Sequence, residues 1–525
     1  MAAVVTDQFR ILNASNFVDS VLNENNSYYV FLGLSNPTDP NPGFGRTSTW
    51  NAENNSNKDP VDNLDYLSHY RKTSLFGKKV TSKNIRRVIR KVNWTSNTRY
   101  DMYRHDYSSS NPTPNSDSSR LYDSNFYVMN SDFRVYICIE NGSSGTNLKG
   151  NKSQDEPTFT DLEPSSAGSS GDGYVWKYLF SVAPSDVIKF DSTEYIVVPN
   201  DWSTSTDSQI QNVRESGDSD TNLNQLKTVY IADAGNGYTY NQSSPSEECN
   251  IIGDGTGAKA LVTVSSTTKI ESVKITAGGS GYTYGYVDLS PLRPLTDTNV
   301  SNPAKLIPII PPAKGHGDDI YTELGADRVL IYARFDDSTR DFPTNTKFAQ
   351  VGILKNPKTF DGTSVFTENQ YSSLSAMKVT TSDSNPNIVG KIITQTIGNE
   401  TAKGYVASYD KDTKVLKYYT DRTLCFQNNV DSTDNTANSK VLDFSSTGGS
   451  VATDNFTCSI DSSFGDDTTG PTNVFDGINL GVTFTNGLAN PEINRKTGDI
   501  IYIDNRTLVT RDSRQKEDVK IILEF

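Results

Sequence analysis

Cysteine, histidine and long apolar runs are scarce in this 525-residue chain, and each scarcity removes a class of protein. The four cysteines, Cys138, Cys249, Cys425 and Cys458, are widely spaced and form no C-x-x-C pair. They read as isolated thiols of a reducing compartment, neither a disulfide frame nor a zinc site. The three histidines, His69, His105 and His316, lie in no H-E-x-x-H arrangement and beside no G-x-S-x-G elbow. No run approaches the roughly 18 apolar residues of a membrane span. Met1-Ala-Ala-Val-Val-Thr-Asp7 lacks the charged and apolar regions of a signal peptide. The expectation is a soluble protein made in a cytosol. Positive charge is also short: 49 Lys and Arg face 63 Asp and Glu, for a net charge of −14. That balance disfavours nucleic acid and anionic membranes as partners.

What is abundant is β-forming bulk between polar turns. The 27 tyrosines and 22 phenylalanines supply the volume that Leu and Met give a helical protein, and Asn, Ser, Thr, Asp and Gly fill the gaps between short apolar runs. The chain is organised around Gly171-Asp-Gly-Tyr-Val-Trp-Lys-Tyr-Leu-Phe180, followed by Glu194-Tyr-Ile-Val-Val-Pro199. Gly171 and Gly173 bracket Asp172 where the backbone must turn sharply. A strand starts there, with Tyr174, Trp176, Tyr178 and Phe180 on one face and Val175, Lys177 and Leu179 on the other. Such a stripe reads as core packing, with a stacking platform for sugar rings as the alternative.

In chain order, the apolar spacing from Phe9 to Leu22 predicts a short amphipathic helix with Asn13 or Ser15 as its cap. A strand at 28–34, an exposed loop at 35–61 and a second helix within 62–75 follow. Ile85-Arg-Arg-Val-Ile-Arg-Lys-Val92 holds the densest positive charge, at Arg86, Arg87, Arg90 and Lys91. It reads as a solvated face, with contact to an acidic partner surface as the alternative. Trp94, Thr98-Arg-Tyr100 and Tyr103, Arg104, His105 and Tyr107 form a polar-aromatic cluster ahead of a flexible segment at 108–119. His105 reads as a polar or pair-forming residue rather than a base. Strands at 126–129 and 133–140 complete an α+β or mostly β layered domain.

These residues carry a family resemblance. Trp94 with Arg99 and Tyr100, the stretch holding Gly171, Asp172, Gly173, Tyr174, Trp176 and Tyr178, and the run from Glu194 through Tyr195 to Pro199 resemble the gene-product-eight subunit of the tail baseplate wedge in T-even-like contractile-tailed bacteriophages. Phe348-Ala-Gln-Val-Gly-Ile-Leu-Lys-Asn-Pro357, with Asn356 and Pro357, and Gly498-Asp-Ile-Ile-Tyr-Ile-Asp-Asn-Arg506, with Gly498, Tyr502, Asn505 and Arg506, resemble later landmarks in the same order, as does the strand 519–525. The matching segments are 9–212, 317–365 and 491–525. The resemblance implies a layered β-sandwich core with helix-bearing loops, a homodimer contacting other wedge proteins, and no catalytic site, cofactor or metal. It implies a virion protein of the tail baseplate, with no small-molecule substrate.

The departures define the domains. The core parts are 1–212, 317–365 and 491–525, and the inserts at 213–316 and 366–490 have the composition of β modules. In the first, Val229-Tyr-Ile-Ala-Asp-Ala-Gly-Asn-Gly-Tyr-Thr-Tyr240 recurs as Val273-Lys-Ile-Thr-Ala-Gly-Gly-Ser-Gly-Tyr-Thr-Tyr284. Two copies suggest a pseudo-symmetric module whose halves bury each other's apolar faces. Gly253-Asp-Gly-Thr-Gly-Ala-Lys-Ala260 lacks the spacing and following helix of a phosphate loop and reads as a hairpin turn. In the second insert, 404–409 and 415–419 flank a hairpin turn, and Gly465-Asp-Asp-Thr-Thr-Gly470 lacks calcium-loop spacing. The reading is a structural wedge subunit that moves as a rigid body during the rearrangement that triggers sheath contraction. The alternative is a glycan-binding or glycan-cleaving tail adhesin using the aromatic inserts, with Tyr238, Tyr240, Tyr282 and Tyr284 as its surface.

Overall fold

The computed structural model describes residues 5–33, 62, 64–215, 224–293, 302–336, 347–383, 387–388, 391–398, 400–420, 443–453, 456–510 and 515–525. The expected loop at 35–61 and Cys425 lie outside the described residues. The order begins α1 (Asp7–Leu22), β1 (Tyr28–Gly33), α2 (Leu64–Thr73), β2 (Ser74–Lys79) and β3 (Ile85–Arg90). It continues β4 (Tyr127–Met129), β5 (Arg134–Asn141), β6 (Tyr174–Ser181), α3 (Pro184–Phe190), β7 (Tyr195–Val198) and α4 (Ser208–Glu215). Then come β8 (Val229–Asp233), β9 (Ser246–Gly253), β10 (Thr256–Val264), β11 (Ile270–Ser280), β12 (Gly285–Val287) and β13 (Lys305–Pro308). These are followed by α5 (Ile320–Leu324), β14 (Arg328–Phe335), β15 (Lys347–Lys355) and β16 (Gln370–Ser372). Next are β17 (Ser375–Thr380), β18 (Ile392–Ile397), β19 (Glu400–Asp410), β20 (Val415–Tyr419), β21 (Val451–Thr453) and β22 (Phe456–Ile460). The last are β23 (Thr472–Phe475), β24 (Ile478–Thr485), β25 (Leu488–Ala489), β26 (Asp499–Thr510) and β27 (Glu517–Glu524). Strands hold 43% of the residues and helices 11%, so the chain is mostly β. It divides into two compact units: Met1–Val18, Arg86–Leu330 and Ile522–Phe525 form one, and Asp19–Ile85 and Ile331–Ile521 the other.

Helix α1 begins earlier than its apolar spacing suggests. The Thr6 hydroxyl accepts the Phe9 N–H at 3.3 Å, so the first turn is capped there and Asn13 and Ser15 lie inside the helix. Ile11, Ala14, Val18 and Val21, spaced by three and four, form its buried stripe.

In the first unit the three-stranded sheet β4-β5-β6 carries the main core. Pairing sets Tyr136 opposite Tyr178, Ile137 opposite Lys177 and Cys138 opposite Trp176, with bulges at Val135/Tyr136 and Cys138/Glu140. The aromatic stripe is buried as packing requires, but so are Lys177 and Leu179 behind it, because loops cover the second face. β3 pairs antiparallel with β7, Arg87 opposite Val198.

The repeated segment of the first unit forms a four-stranded sheet, β11-β10-β9-β12, and a two-stranded one, β13-β8, over one shared core. The two copies put positive φ at matching places: Gly235 and Gly237 at 60° and 93°, Gly279 and Gly281 at 62° and 75°. The Tyr238 hydroxyl accepts the Ala304 N–H at 2.7 Å, and the Tyr282 hydroxyl accepts the Ala258 N–H at 3.2 Å and donates to the Ile251 carbonyl at 3.1 Å. Both rings are buried, whereas Tyr240 and Tyr284 stay exposed. β9 and β10 turn at Asp254, which accepts the Thr283 N–H at 2.9 Å. The hydrogen bond from the Thr283 hydroxyl, with this backbone bond second, holds its carboxyl down at about 2.

The second unit contains the five-stranded antiparallel sheet β16-β2-β1-β15-β26. It also contains a ring in which β20, β19, β18, β21, β22 and β17 pair in turn and β17 pairs back to β20, a closed six-stranded barrel. Met377, Val379, Ile393, Leu416, Val451 and Phe456 fill it. β25, β24 and β23 extend from β17.

Candidate functional site

The turn into β6 shows why two glycines flank Asp172. Gly171 and Gly173 have φ of 67° and 83°, and a Cβ on Gly173 would lie 2.9 Å from Gly142 Cα. The Asp172 carboxylate accepts the Gln154 N–H at 2.8 Å and the Tyr174 N–H at 3.0 Å, while its carbonyl accepts Asn151 Nδ2 at 2.8 Å. The loop after β5 is thereby fastened to the start of β6.

Rings close over this junction. Tyr174 and Trp176 stack at 5.3 Å, and Tyr100 meets Trp176 edge-on at 5.8 Å. The Tyr174 hydroxyl accepts the Tyr100 N–H at 2.9 Å and donates to the Asn151 carbonyl at 2.9 Å. Trp94 Nε1 donates to the Ser153 hydroxyl at 3.0 Å, and Arg99 Nε to the Gly150 carbonyl at 3.2 Å. The structure thus joins Trp94, Arg99, Tyr100, Gly171, Asp172, Gly173, Tyr174 and Trp176 in one network. Tyr178 packs on Tyr136 at 5.7 Å. No ring of this stripe is free to stack on a sugar, since Tyr174, Trp176, Tyr178 and Phe180 are at most 2% exposed. The segment 108–119 is also fastened: Ser116 donates to Asp101 at 2.8 Å and Asn115 to the Lys149 carbonyl at 3.0 Å.

The four cations of the basic run alternate across β3 and the residue after it, and each finds a partner within the unit. Arg86 forks onto Asp186 at 2.8 and 2.9 Å. Arg87 is buried with its guanidinium 4.3 Å from the Tyr321 ring centre. Arg90 donates to the Ser124 carbonyl at 2.5 Å and Lys91 to the Ser192 carbonyl at 2.9 Å. They therefore form no open cationic patch; two of the four serve the core side of a strand covered on both faces. The Pro199 carbonyl accepts the Tyr321 hydroxyl at 2.6 Å, and the Arg328 guanidinium lies 5.8 Å from the Tyr195 ring centre.

The later landmarks gather separately, in the second unit. Asn356, at φ 49°, accepts the Ser27 N–H at 2.7 Å and donates to Asn26 at 3.0 Å. The Pro357 carbonyl accepts the Phe366 N–H at 2.8 Å, and the Gly498 carbonyl accepts Arg71 Nε at 2.8 Å. Tyr502 pairs with Ile353 across β26 and β15. Asn505, buried, accepts Gln350 Nε2 at 2.8 Å, and Arg506, exposed, reaches Asp504 at 2.6 Å.

Ionisable groups are tied into packing rather than gathered for chemistry. His316 Nδ1 lies 2.5 Å from Glu323 Oε1, and the Gly317 N–H donates to Oε2 at 2.8 Å. Tyr103 covers this pair edge-on at 4.8 Å, and burial beside Glu323 raises its pKa. His105 Nδ1 accepts the Ile310 N–H at 3.2 Å, and burial lowers the imidazole pKa against the pull of Asp106. Burial pushes the thiols of Cys249 and Cys458 up to about 11 and 12, and that of Cys138 well above its ordinary value, which disfavours thiolates. Lys177 donates to the Leu162 carbonyl at 2.7 Å, and burial lowers it to about 8. The Asp466 carboxylate closes its own turn, accepting the Thr468 and Thr469 N–H groups at 3.0 and 2.8 Å. Among the described residues no group of three or more His, Cys, Asp and Glu could hold a metal.

Sequence reading missed two connections. Arg104, 2% exposed, forks onto Asp106 at 2.9 and 2.8 Å with its guanidinium 3.9 Å from the Tyr230 ring centre, tying the polar-aromatic cluster to the repeated module. Arg-x-Asp was its visible signal. Asn141 donates to the Tyr100 carbonyl at 3.0 Å, and only its Asn-Gly turn was legible.

Fold and site together define a β-rich scaffold in which Asp172, Asn151, Tyr100, Tyr174 and Arg104 hold loops to sheets. Residues 138–234, roughly a fifth of the 525, match the family described as Phage-Gp8, Bacteriophage T4, Gp8. That match, over this segment alone, supports a wedge subunit of this family with a structural role in the virion tail baseplate. A comparison with curated proteins gives no match.

Proposed function

We propose that the chain is a wedge subunit that holds neighbouring baseplate proteins together and moves as a rigid body in the rearrangement that triggers sheath contraction. One observation carries this reading: the matched segment, 138–234, takes in β6 and the end of β5, the part of the sheet fastened by Asp172, Asn151 and the Tyr174–Trp176 stack. A part that transmits displacement needs such cross-tied loops, because a frayed edge absorbs motion. In this reading the chain is a homodimer in contact with other wedge proteins and performs no catalysis. The segments 213–316 and 366–490 are peripheral modules on a core made of the remaining parts, and the landmark residues are its packing framework. The test is disruption of the gene in the phage that encodes it. Tails without a functional baseplate, restored by supplying the chain in trans, support the reading; normal tails refute it.

The exposure of Tyr240 and Tyr284, one in each repeat copy, favours glycan binding as the second reading. Binding of the isolated full chain to host polysaccharide, lost in Tyr240→Ala/Tyr284→Ala, would support it. Equal binding by the variant would refute it.

A further inference from the structure

The sequence holds three Asn-Gly pairs, Asn141-Gly142, Asn236-Gly237 and Asn486-Gly487. In each, no side chain shields the glycine nitrogen, which can attack the asparagine Cγ and close a cyclic imide where the fold brings the two together. The fold treats the three differently. Asn141 is 4% exposed and both ends of its amide are held, Nδ2 donating to the Tyr100 carbonyl at 3.0 Å and Oδ1 accepting the Ser143 N–H at 3.2 Å. The Gly487 N–H donates to the Phe464 carbonyl at 2.8 Å, which ties up that nitrogen. Asn236, by contrast, is exposed, and the Gly237 N–H donates to the Thr268 hydroxyl at 3.3 Å. That hydroxyl in turn donates to Asn236 Oδ1 at 2.9 Å. One oxygen therefore spans the nitrogen that attacks and the carbonyl oxygen on which charge develops. The hydroxyl can also turn to the Thr267 carbonyl at 2.7 Å, and in either rotamer its oxygen accepts the glycine N–H.

Thr268 adds a second, independent observation. It sits at φ 61°, a left-handed conformation that is costly for a β-branched residue and that marks sites where the surrounding structure imposes it. Two backbone bonds do so here: its N–H donates to the Ser265 carbonyl at 2.9 Å, and its carbonyl accepts the Tyr238 N–H at 3.0 Å. The second bond fixes Thr268 against the residue that follows Gly237. The matching place in the other copy of the repeat reads Gly279-Ser280-Gly281, so only the first copy carries the amide.

We propose that Asn236-Gly237 is a self-modification site, at which the Thr268 hydroxyl relays the proton for conversion of Asn236 to aspartate and isoaspartate. The Gly237 nitrogen bonds to Asn236 Cγ, its proton passes to Thr268 Oγ1, and the Thr268 proton passes to Oδ1. The tetrahedral carbon then gives that proton to the side-chain nitrogen, which leaves as ammonia, and the imide remains. Water opens the imide at either carbonyl. The reaction occurs once per chain and adds a negative charge. Isoaspartate also lengthens the backbone at the residue whose N–H bonds the Asn302 carbonyl at 2.9 Å. This chemistry acts on the chain itself and is independent of the baseplate reading.

The test incubates the purified full chain near neutral pH, folded and in guanidinium chloride, and follows each Asn-Gly peptide by mass spectrometry. Isoaspartate is read by methyl transfer from an isoaspartyl methyltransferase. In the folded chain Asn236 should convert about tenfold faster than Asn141 and Asn486, and faster than Asn236 of the denatured chain. Thr268→Ser should keep the rate and Thr268→Val should lower it about fivefold, each with its Tm recorded. A folded rate at or below the denatured rate overturns the proposal whatever the variants do, because the fold would then be protecting the site. Thr268→Val converting as fast as wild type, or Thr268→Ser falling with it, also overturns it, since the hydroxyl would then be a staple of the turn. Should Thr268→Val not fold, the comparison of folded with denatured wild type decides alone.

Discussion

The sheet β4-β5-β6 and the six-stranded barrel are both antiparallel, yet they deal with their edges in opposite ways. The barrel pairs each strand on two sides, β17 back to β20, so main-chain bonds and an apolar interior close it. The three-stranded sheet has two edges, and loops cover both: Asn93 bridges Met129 on β4, and Ser165 bridges Trp176 on β6. Its stability therefore depends on side chains that hold irregular backbone, among them Asp172, Asn151 and Tyr174. A closed barrel is a self-contained module that a chain can accommodate at a loop. An open sheet with fastened covers ties its sequence to its loops, and the family match includes β6 and the end of β5.

That contrast can be broken or sharpened by substitution. Trp176→Ala removes the centre of the core aromatic stack and should cost about 3–5 kcal/mol in denaturant unfolding of the first unit. A loss below about 1 kcal/mol would mean that the covers carry the sheet without it. Gly173→Ala should cost about 1–3 kcal/mol, more than Gly171→Ala, because both have positive φ but only Gly173 faces a backbone atom at 2.9 Å. Equal losses would remove the close approach from the account.

Lys177 provides a pH signature. Its folded pKa, about 8, lies below its ordinary value of 10.5, so between these values the unfolded chain binds the proton and the folded chain does not. Stability due to this group therefore rises as pH goes from about 8 to 10.5, and the cost of burying its charge is fully present below 8. Lys177→Met should flatten that part of a Tm–pH curve. An unchanged slope would place the shift elsewhere.

The repeat separates its tyrosines. Tyr282→Phe should cost about 1 kcal/mol, the worth of its buried hydrogen bonds, and Tyr284→Phe about zero. The smallest expected effect is the most informative about the barrel. Ala376 pairs with Ala489, so residues 377–488 can be excised with their ends already adjacent. Hydrogen exchange in β5 and β6 should not change, and lost protection would show that the barrel is not self-contained.

Much of the fold was legible because strand chemistry is local. Alternation and glycine turns located β6, β7, the β9–β10 hairpin and β19–β20, while the repeat marked its four tyrosines without separating the buried Tyr238 and Tyr282 from the exposed Tyr240 and Tyr284. Two things were not legible. Period two assigned Lys177 to an outer face, but loops distant in sequence cover that face and the Leu162 carbonyl accepts its hydrogen bond. The basic run at Arg86–Lys91 looked like surface because charge normally is. Its carboxylate partners, Asp186 and Asp191, lie about a hundred residues on, beyond any local pattern.

The central claim is that the chain is a baseplate subunit built on the cross-tied sheet β4-β5-β6, whose last strand lies within the matched segment 138–234. A cryo-EM reconstruction of tails purified from the encoding phage tests it most directly. The account predicts density for β4-β5-β6 and its covering loops in a six-fold ring at the baseplate, with that sheet superposable before and after contraction. Density for the chain at the tips of fibres, or a sheet that comes apart between the two states, would contradict it.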